Sequence, residues 1–322
     1  MQLEGKTVSL VLGSGGARGF AHVGVIEELE RQKCKIKAIS GCSIGALVGG
    51  VYAAGRLRPF QKWIKSLTKM EVLKLVDFTF TRQGFVRGER VYEHIESLIG
   101  TWNIEELDIP FTAVAVDLHS NQEVWMRRGS LMEAIRASAA IPTVLTPVNI
   151  RGRQLVDGAV LNPVPIEPVL HEKNDLLIVV NVVARPPKNE WVVKNYKGHS
   201  NEWYRNKWVD MLPNSSSFRD RFNYLGIVNK SVELMQEKIT DYSLIQYKPD
   251  IIINVPRDVC GMYEFYRAKE VIKAGKRACN EALDRYVMKT EDKVSFQQFS
   301  TFKSAVWQKM PLTLRQALQN NK

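Results

Sequence analysis

Ser43 stands in Gly41-Cys42-Ser43-Ile44-Gly45, a GxSxG pattern. An apolar stretch precedes it, Lys35–Ser40, and a small-residue stretch follows it, ALVGGVYAAG, ending at Gly55. Strand, tight turn and helix in that order form a nucleophile elbow. Gly41 and Gly45 permit the sharp bend, and the bend lifts the hydroxyl to a helix N-terminus. There the unpaired N–H groups and the helix dipole favour developing negative charge.

A second glycine-rich loop, Gly13-Ser14-Gly15-Gly16-Ala17-Arg18-Gly19, lies between the first strand-like run, Thr7–Leu12, and a helical pattern from about Phe20 to Gln32. Residues this small let backbone N–H groups approach an anion, and two such donors aimed at a reacting carbonyl oxygen would form an oxyanion hole. Arg18 suits fixing the loop or gripping a phosphate with its planar fork. The loop departs from a dinucleotide fingerprint, because Arg18 occupies the place of the last glycine and no acid ends the second strand. It also lacks the Gly-Lys-Ser/Thr of a nucleotide P-loop.

A serine nucleophile needs a base, by default a histidine. There are five histidines: His22, His94, His119, His171 and His199. His171 and His199 follow the serine in the usual order, but neither lies in a motif. His22, on the helix after the glycine loop, reads as a packed or capping group. Asp157, in Asp157-Gly158-Ala159 just past Leu155–Val156, sits in a glycine- and proline-rich context that suits an active-site loop.

These blocks together resemble the patatin-like phospholipase family. The glycine loop with its arginine, GxSxG on the second strand and a later Asp-Gly-Ala carry the resemblance, supported by RASAAIPTVLTPV (Arg136–Val148) and DGAVLNPVP (Asp157–Pro165). The similarity runs from about Thr7 to Leu283. It implies a three-layer α/β/α fold and a Ser–Asp dyad without histidine, with Ser43 as nucleophile and Asp157 as base. It also implies an oxyanion hole from the backbone around Gly15, Gly16 and Ala17, framed by the motif glycines Gly13, Gly19, Gly41, Gly45 and Gly158. Ser14 and Ala159 replace glycines common in the family. The expected reaction is hydrolysis of a fatty acyl ester of phospholipase A, lysophospholipase or esterase type. No metal and no cofactor are expected. A histidine-dependent esterase acting on soluble esters and a non-catalytic lipid-binding protein of the same fold are the rival readings.

The elements that must position these residues follow from pattern. Strand-like runs at Phe111–Val116, Glu123–Met126, Leu176–Val183 and Ile251–Val255 alternate with helical ones at Leu131–Ala140, Phe222–Tyr247 and Phe265–Tyr286. That alternation predicts a mainly parallel sheet covered on both faces. The expected organisation is one domain over 1–285, with an irregular basic and aromatic stretch at 185–221, and a basic extension over 286–322 holding one more helix near Thr301–Leu318.

The 322 residues carry 45% hydrophobic and 25% charged residues, ordinary globular usage. The four cysteines lie scattered with no CxxC pair, which gives disulfide or zinc frameworks no support. No run approaches a membrane span, and no secretory signal opens the chain, so a cytoplasmic protein is expected. The net charge of +11 is concentrated in 56–90, 185–208 and 286–322. Such regional excess suggests peripheral contact with an anionic inner-membrane face. The stretch 59–75 reads as one amphipathic basic helix, with an interfacial role and core packing as its two uses. In 185–208, Trp191, Trp203, Trp208, Tyr196 and Tyr204 among basic residues suit a lipid–water boundary, a partner contact or an ordered surface loop. No nucleic-acid module appears, and no nucleic-acid partner is expected.

Overall fold

The structure is a computed structural model that describes residues 3–75, 88–142, 144–186 and 216–309. Its strands are β1 (Thr7–Leu12), β2 (Lys35–Cys42), β3 (Phe111–Asp117), β4 (Gln122–Met126), β5 (Val148–Ile150), β6 (Arg153–Asp157), β7 (Leu176–Ala184) and β8 (Ile251–Pro256). The helices are α1 (Ala21–Arg31), α2 (Ile44–Ala53), α3 (Leu57–Ser66), α4 (Lys69–Leu75), α5 (Glu89–Ile99), α6 (Leu131–Ser138), α7 (Ser216–Tyr247) and α8 (Ala268–Lys309).

One sheet runs in the order β5-β6-β3-β2-β1-β7-β8, with β4 on β3. The neighbours β3, β2, β1, β7 and β8 pair in parallel, while β4, β5 and β6 are antiparallel additions. The sheet is buried on both faces, as its Val/Ile/Leu-rich central strands require. Side chains alternate along each strand, so β1 sends Val8, Leu10 and Leu12 into the larger core cluster with α1, α2 and α8. Val11 goes to the opposite face with Ala38 and Val179, where Leu244 and Tyr247 of α7 cover it. The result is the three-layer α/β/α arrangement.

Several elements differ from expectation. The stretch 59–75 is two helices, α3 and α4, separated at Leu67–Thr68. Phe60 and Ile64 are fully buried, and Leu67 nearly so, while Arg58, Lys62 and Lys69 face outward. The apolar side of α3 therefore packs into the core, while α4 buries no side chain fully and leaves Met70 exposed. Helix α5 and strand β5 were not anticipated: α5 buries only Ile95 and Ile99, and β5 is three residues long. Helix α8 crosses residue 285 without interruption, so backbone structure marks no boundary between 1–285 and 286–322. Within 185–221, residues 216–221 are helical; the aromatic cluster and His199 lie outside the described residues.

Candidate active site

Strand β2 delivers Ser43 at its end. The residue has φ 56° and ψ −124°, a positive-φ conformation that a side chain disfavours. The turn keeps it there because the flanking residue cannot be larger. A Cβ on Gly45 would stand 2.0 Å from the Leu12 carbonyl oxygen of β1. Ser138, the last residue of α6, donates its hydroxyl to the Val114 carbonyl at 2.6 Å and accepts the Ser43 N–H at 3.0 Å. The nucleophile's backbone is thus pinned to β3 through a buried serine.

Strand β3 also brings in the carboxylate. It pairs with β4 over Ala113–Asp117, which fills one of its edges. The other edge is shared: Cys42 sits opposite Val114, and Asp157 of β6 sits opposite Ala115. Successive residues of a single strand therefore hold the elbow and the aspartate side by side. The junction is tight, since a Cβ on Gly158 would lie 2.3 Å from the Val114 carbonyl oxygen.

Ser43 and Asp157 are both buried, and the Ser43 side chain is among the groups that act on the Asp157 carboxyl. Burial raises the Asp157 pKa from the ordinary 3.8 to about 6. Hydrogen bonds from Ser43, the Ala159 N–H and the Cys42 thiol pull the other way. The last two both reach Oδ1, at 2.9 Å from Ala159 and 3.5 Å from Cys42. Burial and the neighbouring carboxylate hold the Cys42 thiol well above its ordinary range, so it remains a protonated donor. A carboxylate with a pKa near 6 is a better proton acceptor for a hydroxyl than an ordinary aspartate and is still ionised at neutral pH.

The glycine loop passes beside Ser43. Gly13 and Ser14 give their N–H groups to the carbonyls of Val180 and Pro163, at 3.1 and 2.8 Å. Ala17 departs from expectation, because its N–H donates to the Met262 carbonyl at 2.8 Å. Gly15 and Gly16 have no backbone acceptor for theirs among the described residues. Gly16, at φ 59°, lines the same cavity as Ser43. Arg18 is buried and aims away from this cavity. Its Nε donates to the Cys260 carbonyl at 3.0 Å and its Nη1 reaches Glu233 of α7 at 3.4 Å. Through these contacts it fastens the loop.

The histidines fall elsewhere. His22 is fully buried, and its Nε2 lies 2.8 Å from the Gly13 carbonyl, so it donates there and props the glycine loop. Burial lowers its pKa to about 4 despite that bond, which keeps it neutral. His94 stacks on Trp63, with ring centroids 5.0 Å apart, and His119 and His171 are exposed. No described histidine lines the cavity that holds Ser43.

That cavity measures about 220 Å³. Ser43 and Gly16 stand at one part of it, and the remaining wall is apolar, including Leu47, Phe60, Trp63, Ile95 and Phe265. Cys42 and Ser138 are functional neighbours that sequence reasoning did not assign. Their only signal was position, one inside GxSxG and the other inside RASAAIP. Among the described residues no cluster of His, Cys, Asp and Glu could hold a metal ion.

A serine on a strained elbow next to a buried carboxyl, with loop amides nearby, is the kind of arrangement that serine hydrolysis requires. Comparison with known proteins gives the family. The sequence model of patatin-like phospholipases matches residues 10–170. An uncharacterized NTE family protein of Mycobacterium tuberculosis is 34% identical over 331 aligned positions, covering 87% of this chain and 92% of its own. Lysophospholipase NTE1 of Cryptococcus neoformans is 35% identical over 190 positions, covering 56% of this chain but only 11% of the far longer fungal protein. Neuropathy target esterase sws of Drosophila melanogaster is 26% identical over 254 positions, covering 74% of this chain and 18% of its own. The chain belongs to the patatin-like phospholipase family.

Proposed function

We propose that the protein is a serine carboxylic-ester hydrolase acting on fatty acyl esters of the phospholipase A, lysophospholipase or esterase type. The observation that carries this reading is Ser43, next to the buried Asp157 carboxyl, opening onto an apolar cavity. Family membership and the lysophospholipase names of the longer fungal relatives support a lipid substrate.

In this mechanism Asp157 accepts the Ser43 proton as Oγ attacks the ester carbonyl. The carbonyl oxygen becomes an oxyanion held by the free N–H groups of Gly15 and Gly16. The C–O bond to the alcohol then breaks, and the proton on Asp157 passes to the leaving oxygen. Water, deprotonated by Asp157, attacks the acyl-enzyme and releases the fatty acid and free Ser43. The acyl chain lies against Leu47, Phe60 and Ile95, where every buried methylene contributes about 0.8 kcal/mol. The outward cations of α3 and α4 support electrostatic contact with an anionic lipid surface. Among the described residues no helix is long and apolar enough to cross a membrane.

A fluorophosphonate probe tests the reading directly. Covalent labelling of the wild-type protein at Ser43, located by peptide mapping, and none of Ser43→Ala is the expected result. Equal labelling of both proteins sinks the proposal.

The Cys42 contact has its own consequence. Removing the thiol donor leaves burial of Asp157 less opposed, and its pKa climbs further. Cys42→Ala is expected to move the acid limb of the kcat/KM profile upward by ~0.5–1 pH unit, with the plateau at higher pH retained. Cys42→Ser, which keeps a donor, is expected to leave the limb in place. Superimposable profiles for wild type and Cys42→Ala would rule out this tuning role.

A further inference from the structure

A second pocket adjoins the apolar cavity, and its chemistry is different. It measures about 310 Å³ and is lined by Glu89, Tyr92, Arg136, Thr146 and Asn149, with Leu145 at its inner edge. Tyr92 and Leu145 line both pockets. Ala139 faces the first and Ala140 the second, and the Ala140 carbonyl accepts the Asp157 N–H at 2.9 Å. The polar pocket therefore shares walls with the apolar cavity, and Ala140 ties it to the Asp157 backbone.

Arg136 is the unusual group there. Its guanidinium carbon lies 5.6 Å from the centre of the Tyr92 ring, and the residue is half-buried. Among the described residues it meets no carboxylate and donates no hydrogen bond. Five N–H donors on a fixed fork, held by stacking and otherwise unspent, form a ready receptor for a tetrahedral oxyanion. Thr146 and Asn149, both exposed, line the same pocket and offer further neutral donors. Glu89 adds one carboxylate at the rim, which disfavours a doubly charged ligand and leaves a singly charged phosphodiester as the better fit.

We propose that Arg136, with Thr146 and Asn149, binds the phosphate of the substrate's headgroup while the acyl chain occupies the adjoining apolar cavity. This rests on the ester-hydrolase reading and adds to it the residues that select a phosphate-bearing headgroup. Arg136 is then a specificity residue and not one of the bond-breaking groups.

The test compares ligands that share a chain and differ in the phosphate. Binding of a 1-O-hexadecyl lysophosphatidylglycerol, an ether the enzyme does not hydrolyse, is measured against 1-O-hexadecylglycerol below their micelle concentrations. Wild type is expected to prefer the phosphate-bearing ether by ~10–100-fold, the value of one charge-assisted contact. Arg136→Met is expected to lose that preference, and Arg136→Lys to keep part of it. In turnover, Arg136→Met should raise KM for an ester lysophospholipid while hydrolysis of p-nitrophenyl butyrate stays within ~2-fold of wild type. Equal binding of the two ethers by wild type overturns the proposal. So does an Arg136→Met loss that is the same on both esters, because that marks a merely structural arginine. Inorganic phosphate that binds through Arg136 without any preference between the ethers would make the pocket a free-phosphate site and also overturn it. Ether selectivity that depends on Arg136 in a protein inert towards every ester would leave this site standing and remove the catalytic reading instead.

Discussion

Ser43→Ala is expected to lower ester turnover by a factor on the order of 10⁴–10⁶, the scale of losing a nucleophile that acts as a unit with its base. Acyl-enzyme chemistry requires an oxygen at this position, and the neighbouring side chains offer no substitute: Cys42 points to Asp157 and Ser138 spends its hydroxyl on Val114. Stability should move independently of activity. Ser43 is held at φ 56°, and alanine inherits the same backbone geometry. Ser43→Gly relieves it, so that variant should be more stable than Ser43→Ala by about 1 kcal/mol while remaining equally inactive. Hydrolysis of a chromogenic ester together with urea denaturation checks both statements. Residual turnover within tenfold of wild type, after contamination is excluded, would remove Ser43 from the reaction.

Asp157→Asn is expected to cost ~10³–10⁴-fold in kcat, because the amide preserves shape but cannot accept the serine proton. In the wild-type protein kcat/KM should fall as pH drops through about 6, where the carboxylate becomes protonated and the base is lost. A histidine-dependent site would lose activity near the same pH, so the profile alone is not decisive. The Asp157→Asn loss, together with unchanged activity in a His171→Ala and His199→Ala pair, distinguishes the two. Folding stability carries a second signature. Between the ordinary carboxyl pKa of 3.8 and about 6 the folded state holds a proton that the unfolded state has released. Stability therefore decreases as pH rises through that window and is level above it. Asp157→Asn removes the cost of burying a charge and should be the more stable protein above pH 6, by ~1–3 kcal/mol. Thermal unfolding at pH 4, 6 and 8 reads this. A variant no more stable than wild type at pH 8 would mean that the carboxylate is not held against its solvation.

Much of this protein was legible in its residues. Short-range constraints wrote the elbow: Gly41 and Gly45 are needed within two residues of Ser43, and the strand and helix around them have strong local periodicity. The buried runs Thr7–Leu12 and Leu176–Val183 announced central parallel strands, and RASAAIP announced a helix and its end. Elements with weak local signals were missed. Helix α5 buries two side chains, and β5 is too short to show alternation. The segment 59–75 illustrates a different limit. Its amphipathic pattern was plain, but pattern states that a face is apolar and not what it will meet. Only packing showed that Phe60 and Ile64 turn into the core beside the cavity.

Tertiary structure alone decided which groups converge. The base was ambiguous in residue pattern because Asp157, His171 and His199 all follow the serine at distances no local rule connects. Strand β3 sets Asp157 beside the elbow by offering adjacent positions, Val114 and Ala115, to Cys42 and Asp157 on one shared edge, while His199 lies outside the described residues. The thiol contact, the Ser138 anchor, the engagement of Ala17 by Met262 and the unspent fork of Arg136 all arise from such crossings between distant segments. A chain records its local bends in residue type, since a glycine or a small side chain is sterically required on the spot. It does not record register between remote strands in the same way, because register emerges from burying many side chains at once.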